Sequence, residues 1–297
     1  MSQALAFSLE GFGSPVEVNL TKNLTKDQLL AFPAFEIWRD TLRQNLELQH
    51  SDKYHAFHKD PFTLRSITIQ SVDWFGKKIG FVKLAAVLRN REDKQLPGIA
   101  FLRGGSVAML MILRPKDSRD ERLVVMTEQP RVPAGSLSFV EIPAGMLDDA
   151  ETFSGAAAKE IEEETGFKLP RSELIDLTEL ALKNSKISEK SLQNAMYPSP
   201  GGSDEFIPIF LWEKELDRQE IEDLSGKLMG KRMQGEMIKL RVCDYEDLWR
   251  EGARDAKTLA AWALYEGLNR AGIVQAELMK RRKKSATFSL NDGATAV

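Results

Sequence analysis

Glu160, Glu163 and Glu164 crowd a short stretch of the run from Gly145 to Phe167, GMLDDAETFSGAAAKEIEEETGF. In a helix, positions three and four apart share a face, so these carboxylates repel one another at close range. A chain that gathers them must set positive charge against that face or leave it in water. A hard divalent cation meets the first demand, because magnesium takes oxygen ligands and shares its shell with waters and substrate phosphates. An EIEEE run alone fits a solvated helix face equally well, so its surroundings decide. Thr152 or a neighbour can start the helix and Gly166 suits its exit. Ala156, Ala157 and Ala158 permit close approach to a sheet, and Ile161 supplies a larger packing group. The preceding PAG can expose a main-chain oxygen at Ala144, and Glu151 holds a position in the connecting loop. The segment points to a magnesium site serving phosphoryl chemistry, and thus to a hydrolase acting on a diphosphate.

Composition narrows the alternatives. The chain has 297 residues, enough for two domains or for one with a substantial extension. A formal net charge of -3 provides no global field for a nucleic acid polymer. The single cysteine, Cys243, excludes an intrachain disulfide framework. His50, His55 and His58 lack convincing zinc spacing and read as solvated or packing residues. No apolar run is long enough to cross a bilayer, and the opening lacks a secretory pattern, so the cytoplasm is the default expectation. A nuclear or organellar address stays open.

Periodicity organises the rest. Residues 1–60 read as an irregular lead followed by helical material. Thr25 can cap a helix near Lys26, and Ala34 to Gln49 places Phe35, Trp38, Leu42 and Leu46 on one inward face. Thr63 to Val72 and Ile79 to Leu88 alternate as strands around a DWFGKK hairpin. Ala108 to Leu113, Leu123 to Thr127, Phe206 to Trp212 and Ile238 to Val242 are further strand candidates, and Leu174 to Leu182 is ambiguous. Asp255 to Leu268 is an amphipathic helix. After Gly272 order is expected to weaken, with MKRRKK serving as solvated charge or as a nuclear address. The resulting division is 1–98, a helical and antiparallel-sheet region; 99–272, the domain with the acidic helix; and 273–297, a flexible basic tail.

The complete acidic segment resembles the Nudix hydrolase family. Gly145, Glu151, Glu160, Ile161, Glu163, Glu164, Gly166 and Phe167 fall on the family pattern, with Lys159 at the usual arginine and aromatic Phe167 where an aliphatic residue is common. Lysine is a mobile point charge where arginine is a rigid fork, so either the carboxylates are positioned more loosely or the contact is compensated. The resemblance spans roughly residues 63–268. It implies an α+β, α-β-α sandwich, the Nudix fold with a mixed sheet and an N-terminal antiparallel-sheet extension.

Further segments are similar to the ADP-sugar pyrophosphatase branch. By that resemblance Glu160 and Glu164 are the principal metal ligands. Glu163 adds a ligand or positions a metal-bound water, and the Ala144 carbonyl completes the site. Arg131 in TEQPR and Arg103 in RGGSVAML are phosphate contacts, and Ser203 in YPSPGGSDE meets phosphate or sugar. Glu236 in GEMIKLRV orients or deprotonates water, making Glu163, Glu164 and Glu236 the catalytic set. Asn184 to Ala195 extends beyond compact members as a short helix or lid. Trp74 and Phe75 either stack on adenine or make a core or subunit contact. The implied reaction is Mg2+-dependent hydrolysis of ADP-ribose or ADP-glucose to AMP and a sugar phosphate, with Mn2+ as the alternative ion. The implied partners are a nucleotide sugar and a second copy in a homodimer, with no nucleic acid polymer and no membrane. UDP-glucose, another nucleoside diphosphate derivative, or a catalytically weak nucleotide-binding module are the competing expectations.

Overall fold

The computed structural model describes residues 5–118, 120–147, 153–183, 185–186, 189–230 and 237–281, with the side chains of residues 156, 157 and 160 outside that description. The chain divides into two compact units, one of residues 1–105, 189–193 and 197–206, the other of 106–188, 194–196 and 207–297.

The first unit is built on a six-stranded sheet. Strand β1 (Ala6–Leu9) pairs antiparallel with β2 (Val16–Asn19), which runs parallel to β3 (Thr63–Phe75). β3 and β4 (Lys78–Arg89) form a long hairpin, and β5 (Gln95–Leu96) and β6 (Ile99–Leu102) both pair with β4. Gly76 opens the hairpin turn at φ +63°, a conformation a side chain would strain. Trp74 and Phe75 are therefore strand residues, opposite Ile79 and Lys78. Helix α1 (Lys26–Leu30) starts at the capping box between Thr25 and Gln28. In α2 (Pro33–Ser51), Phe35 is fully buried and Trp38, Leu42 and Leu46 pack on the same core, with Leu64, Ile67, Val82 and Leu84 from the sheet. The lead is more ordered than expected: β1 and β2 occupy part of the stretch read as irregular. Each is four residues long, too short to announce itself by alternation.

The second unit is built around β7 (Ser106–Pro115), whose side chains are almost all buried. Alternate residues leave a strand on opposite faces, so β7 feeds two cores. Val107, Met109, Met111 and Leu113 pack with Val125, Ile161 and Trp212. Ala108, Leu110 and Ile112 pack with Ala261, Tyr265 and Leu268. Ile161 belongs to α3 (Phe153–Thr165), while the other three core residues belong to α7 (Ala256–Arg270), so one helix covers each face. Around β7 the sheet contains β8 (Leu123–Arg131), β9 (Ser136–Glu141), β10 (Ala144–Met146), β11 (Ile175–Asp176), β12 (Ile209–Leu216), β13 (Leu228–Met229) and β14 (Ile238–Asp244). β12 runs parallel to β7 and β10 antiparallel to it, making the sheet mixed. The short helices α4 (Leu177–Leu182), α5 (Arg218–Glu222) and α6 (Leu248–Glu251) complete the elements used below. The architecture is a mixed α/β fold with an N-terminal strand extension ahead of the core sheet.

Three boundaries depart from expectation. β12 begins after Pro208, which has no amide to donate to a ladder, although Phe206 and Ile207 are buried. The ambiguous run resolves into β11 and α4, with the Asp176 carboxylate capping the helix through the Glu179 amide at 2.8 Å. Past Gly272 the chain is helical over 273–281, because Val274 is fully buried and Leu278 packs on the core. Within 189–195 the backbone forms turns and bends, with no helix among these residues. Across the described residues, no helix is long and apolar enough to cross a membrane.

The end of α3 is fixed by Gly166, which sits at φ +81° and donates its amide to the Glu162 carbonyl at 3.0 Å. A Cβ at this position would meet Met229 at 3.2 Å. Gly166→Ala is expected to cost about 1 kcal/mol or more in denaturant unfolding. Wild-type stability would remove this glycine from the account of how the acidic helix ends.

Candidate active site

Glu164 is the most buried of the described carboxylates of the acidic helix. It lies three residues beyond the core residue Ile161 and is 6% exposed. The Ala144 amide donates to Glu164 Oε2 at 3.1 Å, and the Gln129 side-chain amide to Oε1 at 3.4 Å. Ala144 is itself set by β10, where it lies opposite Ala108 of β7. The helix and the PAG turn are thus joined by a part-buried charge-assisted hydrogen bond, stronger than a neutral one. Glu163, one residue before Glu164, is half-buried. Among the described residues, no three carboxylate, imidazole or thiol groups converge as a metal cluster. The Glu160 side chain, Glu151, Thr152 and Glu236 lie outside the described residues.

Next to this contact is a buried polar chain that the sequence did not reveal. Glu141, 3% exposed in its side chain, ends β9 and accepts from Arg131 Nε at 2.5 Å. Lys257 contacts the other Glu141 oxygen and reaches Asp255 Oδ1 at 2.9 Å. Asp255 caps α7, accepting from the Thr258 amide at 3.1 Å and the Thr258 hydroxyl at 2.6 Å. Thr258 Oγ1 in turn accepts from the Ile142 amide at 3.1 Å. The backbone leading into Ala144 is therefore tied to the α7 N-terminus. Arg131 itself is 38% exposed, and its terminal NH2 groups have no hydrogen-bond partner among the described residues.

The other anticipated residues fall in the first unit. The Arg103 amide donates to Asp204 at 2.8 Å and its guanidinium meets Glu205 at 3.1 Å, while its Nε is buried without a partner among the described residues. Burial raises the Asp204 carboxyl above its usual range, against the lowering effect of the Arg103 and Gly104 amides. Ser203 pairs with Phe101 as an isolated bridge and accepts from the Glu205 amide at 3.3 Å. Trp74 packs on the core of this unit, whereas Phe75 is 55% exposed and stacks edge-on against Phe81. His55 and His58 bond to nearby backbone in the loop after α2. In the second unit, burial first and neighbouring acids second push the Cys243 thiol up to about 12, which leaves no thiolate nucleophile near neutrality.

Comparison with known proteins assigns the family. The NUDIX domain model matches residues 103–262. The chain is 39% identical over 268 residues to Nudix hydrolase 14, chloroplastic, of Arabidopsis thaliana, covering 90% of this chain and 81% of that protein. It is 34% identical over 128 residues to the ADP-ribose pyrophosphatase of Bacillus subtilis (strain 168), and 33% identical over 128 residues to the methanol dehydrogenase activator of Bacillus methanolicus. Those two alignments each cover 40% of this chain and 56% of the bacterial protein. The chain belongs to the Nudix family, and is a Nudix hydrolase related to the ADP-ribose and ADP-sugar pyrophosphatases. Its mixed α/β architecture is the Nudix fold.

Thr258→Val keeps the shape of a fully buried side chain but strands the Ile142 amide and removes one of the two hydrogen bonds that Thr258 gives Asp255 Oδ2. A loss of about 1–3 kcal/mol in denaturant unfolding is expected. A near-neutral result would show that the PAG turn does not depend on α7.

Proposed function

We propose that this Nudix hydrolase cleaves ADP-sugars, ADP-ribose or ADP-glucose, to AMP and the sugar phosphate, in a reaction dependent on Mg2+ or Mn2+. The observation that carries the reading is the buried Glu164 carboxylate bound to the Ala144 amide at 3.1 Å, inside a segment with the Nudix spacing. Glu163, Glu164 and the Ala144 carbonyl, with Glu160 added by resemblance, are all oxygen donors, the set a hard divalent cation takes. When bound, the cation neutralises the diphosphate and makes the attacking water more acidic.

The chain's own groups have separate tasks. Glu164 accepts amides from β8 and β10, which orient its carboxylate before substrate arrives. Arg131, anchored through Nε, presents its NH2 fork to phosphate oxygens, the geometry that favours bidentate recognition. Water adds to one phosphorus, the bridging P–O bond breaks, and each product leaves with a phosphate. The water proton passes to a site carboxylate, Glu163 or, by resemblance, Glu236, and then to solvent. Roles for Arg103, Ser203, Trp74 and Phe75, and assembly as a homodimer, rest on the resemblance alone.

ADP-ribose as substrate is supported by the Bacillus subtilis relative's name, and ADP-sugars as a class, ADP-glucose among them, by the resemblance of the TEQPR and SPGGSDE segments. Glu164→Gln, nearly isosteric, is expected to lower turnover of the preferred ADP-sugar by more than about a hundredfold, because it weakens a ligand itself, where loss of an outer-shell partner already costs about 10–100-fold. Products are followed by mass-resolved chromatography across a nucleotide-sugar panel with added Mg2+. Dominant turnover of UDP-glucose would keep the chemistry and overturn the ADP-sugar assignment. Tight nucleotide binding without turnover of any diphosphate would establish a binding module instead.

A further inference from the structure

We propose that Lys257 is a positioning residue that sets the anion affinity of Arg131, by sharing Glu141 with it and being balanced in turn by Asp255. The proposal rests on the reading of Arg131 as a phosphate contact given above. Four charges alternate along one line: Arg131, Glu141, Lys257, Asp255. Three of the four side chains are nearly withdrawn from water, at 3% exposure for Glu141, 12% for Lys257 and 8% for Asp255. Only Arg131 opens to solvent, at 38%. At such burial the pairs are weakly screened, so the loss of one charge is felt by its neighbours.

The geometry divides Glu141 between two cations. Its Oε1 takes Arg131 Nε and its Oε2 takes Lys257 Nζ. With Lys257 in place, one oxygen of Glu141 is occupied by an ammonium whose charge repels a second cationic donor there, and the guanidinium bonds the other oxygen through Nε. The two NH2 groups then stay turned outward for an anion. Without Lys257, both Glu141 oxygens fall to Arg131. A fork-to-fork pair is the preferred arrangement of guanidinium and carboxylate, and forming it would draw the NH2 donors inward and away from phosphate. Lys257 therefore acts on substrate through Arg131 without touching it.

Asp255 enters with the opposite sign. Its Oδ1 holds Lys257 back at 2.9 Å while Oδ2 caps α7. Replacing Asp255 by Asn retains an N-cap oxygen and leaves Lys257 to Glu141 alone, which releases Arg131 further. Two neighbouring substitutions in one network thus shift anion affinity in different directions, something loss of packing alone does not produce.

The test measures ADP affinity by calorimetry, and KM and kcat for the turned-over ADP-sugar, in Lys257→Met, Arg131→Ala, the double variant and Asp255→Asn. Lys257→Met is expected to weaken ADP binding and raise KM about tenfold, the scale on which a group one step from the ligand acts, with kcat near wild type. In the Arg131→Ala background the same change is expected to do nothing more. Asp255→Asn is expected to tighten ADP binding and lower KM, and it decides the matter if Lys257→Met fails to fold. Additive effects of Lys257→Met and Arg131→Ala, a lowered Tm with unchanged KM in Lys257→Met, or an unchanged or raised KM in Asp255→Asn would overturn the proposal. A protein that binds ADP but turns over no nucleotide sugar would overturn the functional reading and leave the ADP arm decisive. A protein that neither binds ADP nor turns over an ADP-sugar would overturn both.

Discussion

A buried carboxylate needs donors, and the bond from the Ala144 amide to Glu164 is the contact on which the candidate site depends. The carboxylate is 6% exposed, so without hydrogen bonds its desolvation would cost several kcal/mol. Burial is imposed by the helix itself: Ile161, one turn earlier, is driven into the core beneath β7, and a residue three positions later shares that face. The fold answers by placing β10, through its pairing with β7, where its amide reaches the helix. Helix packing, sheet register and the chemistry of the site are thus a single arrangement.

The same economy of position extends to the other face of the sheet. α7 packs Ala261, Tyr265 and Leu268 under β7, and its first turn carries Asp255, Lys257 and Thr258 to the backbone just before Ala144. A helix whose hydrophobic residues serve the core therefore also braces the Nudix segment through its cap. The bracing is polar and buried, a combination that is costly when half satisfied and rigid when complete.

Much of this was legible in the sequence where the signal is local. The Thr25 capping box, the inward face of α2, the hairpin around Gly76 and the extent of α7 are each set by residues close together in the chain, and each appears in the structure, although α7 buries Ala261 and Leu268 with Tyr265 and leaves Ala263 exposed. The unread features are long-range. Glu141 and Lys257 are 116 positions apart, and a single glutamate at the end of a strand carries no periodic mark of its partner. The basic composition near residue 280 suggested solvated chain, but Arg281 donates to the Ser172 carbonyl at 2.7 Å and to the Leu174 carbonyl, which ties the end of the 273–281 helix to the second unit. Strands β1 and β2 were missed for the opposite reason, since a four-residue strand offers too few alternations to be distinguished from a loop.

The central claim is that the carboxylates of the acidic helix act together as an oxygen site for a divalent cation, held in place from β10. Mn2+ titration followed by electron paramagnetic resonance tests it most directly, since bound ion loses the free-ion signal. In the presence of ADP, the wild-type protein is expected to take up Mn2+, and a folded Glu160→Gln/Glu164→Gln variant to leave it free. Equal uptake by the two proteins would place the cation elsewhere and contradict the account.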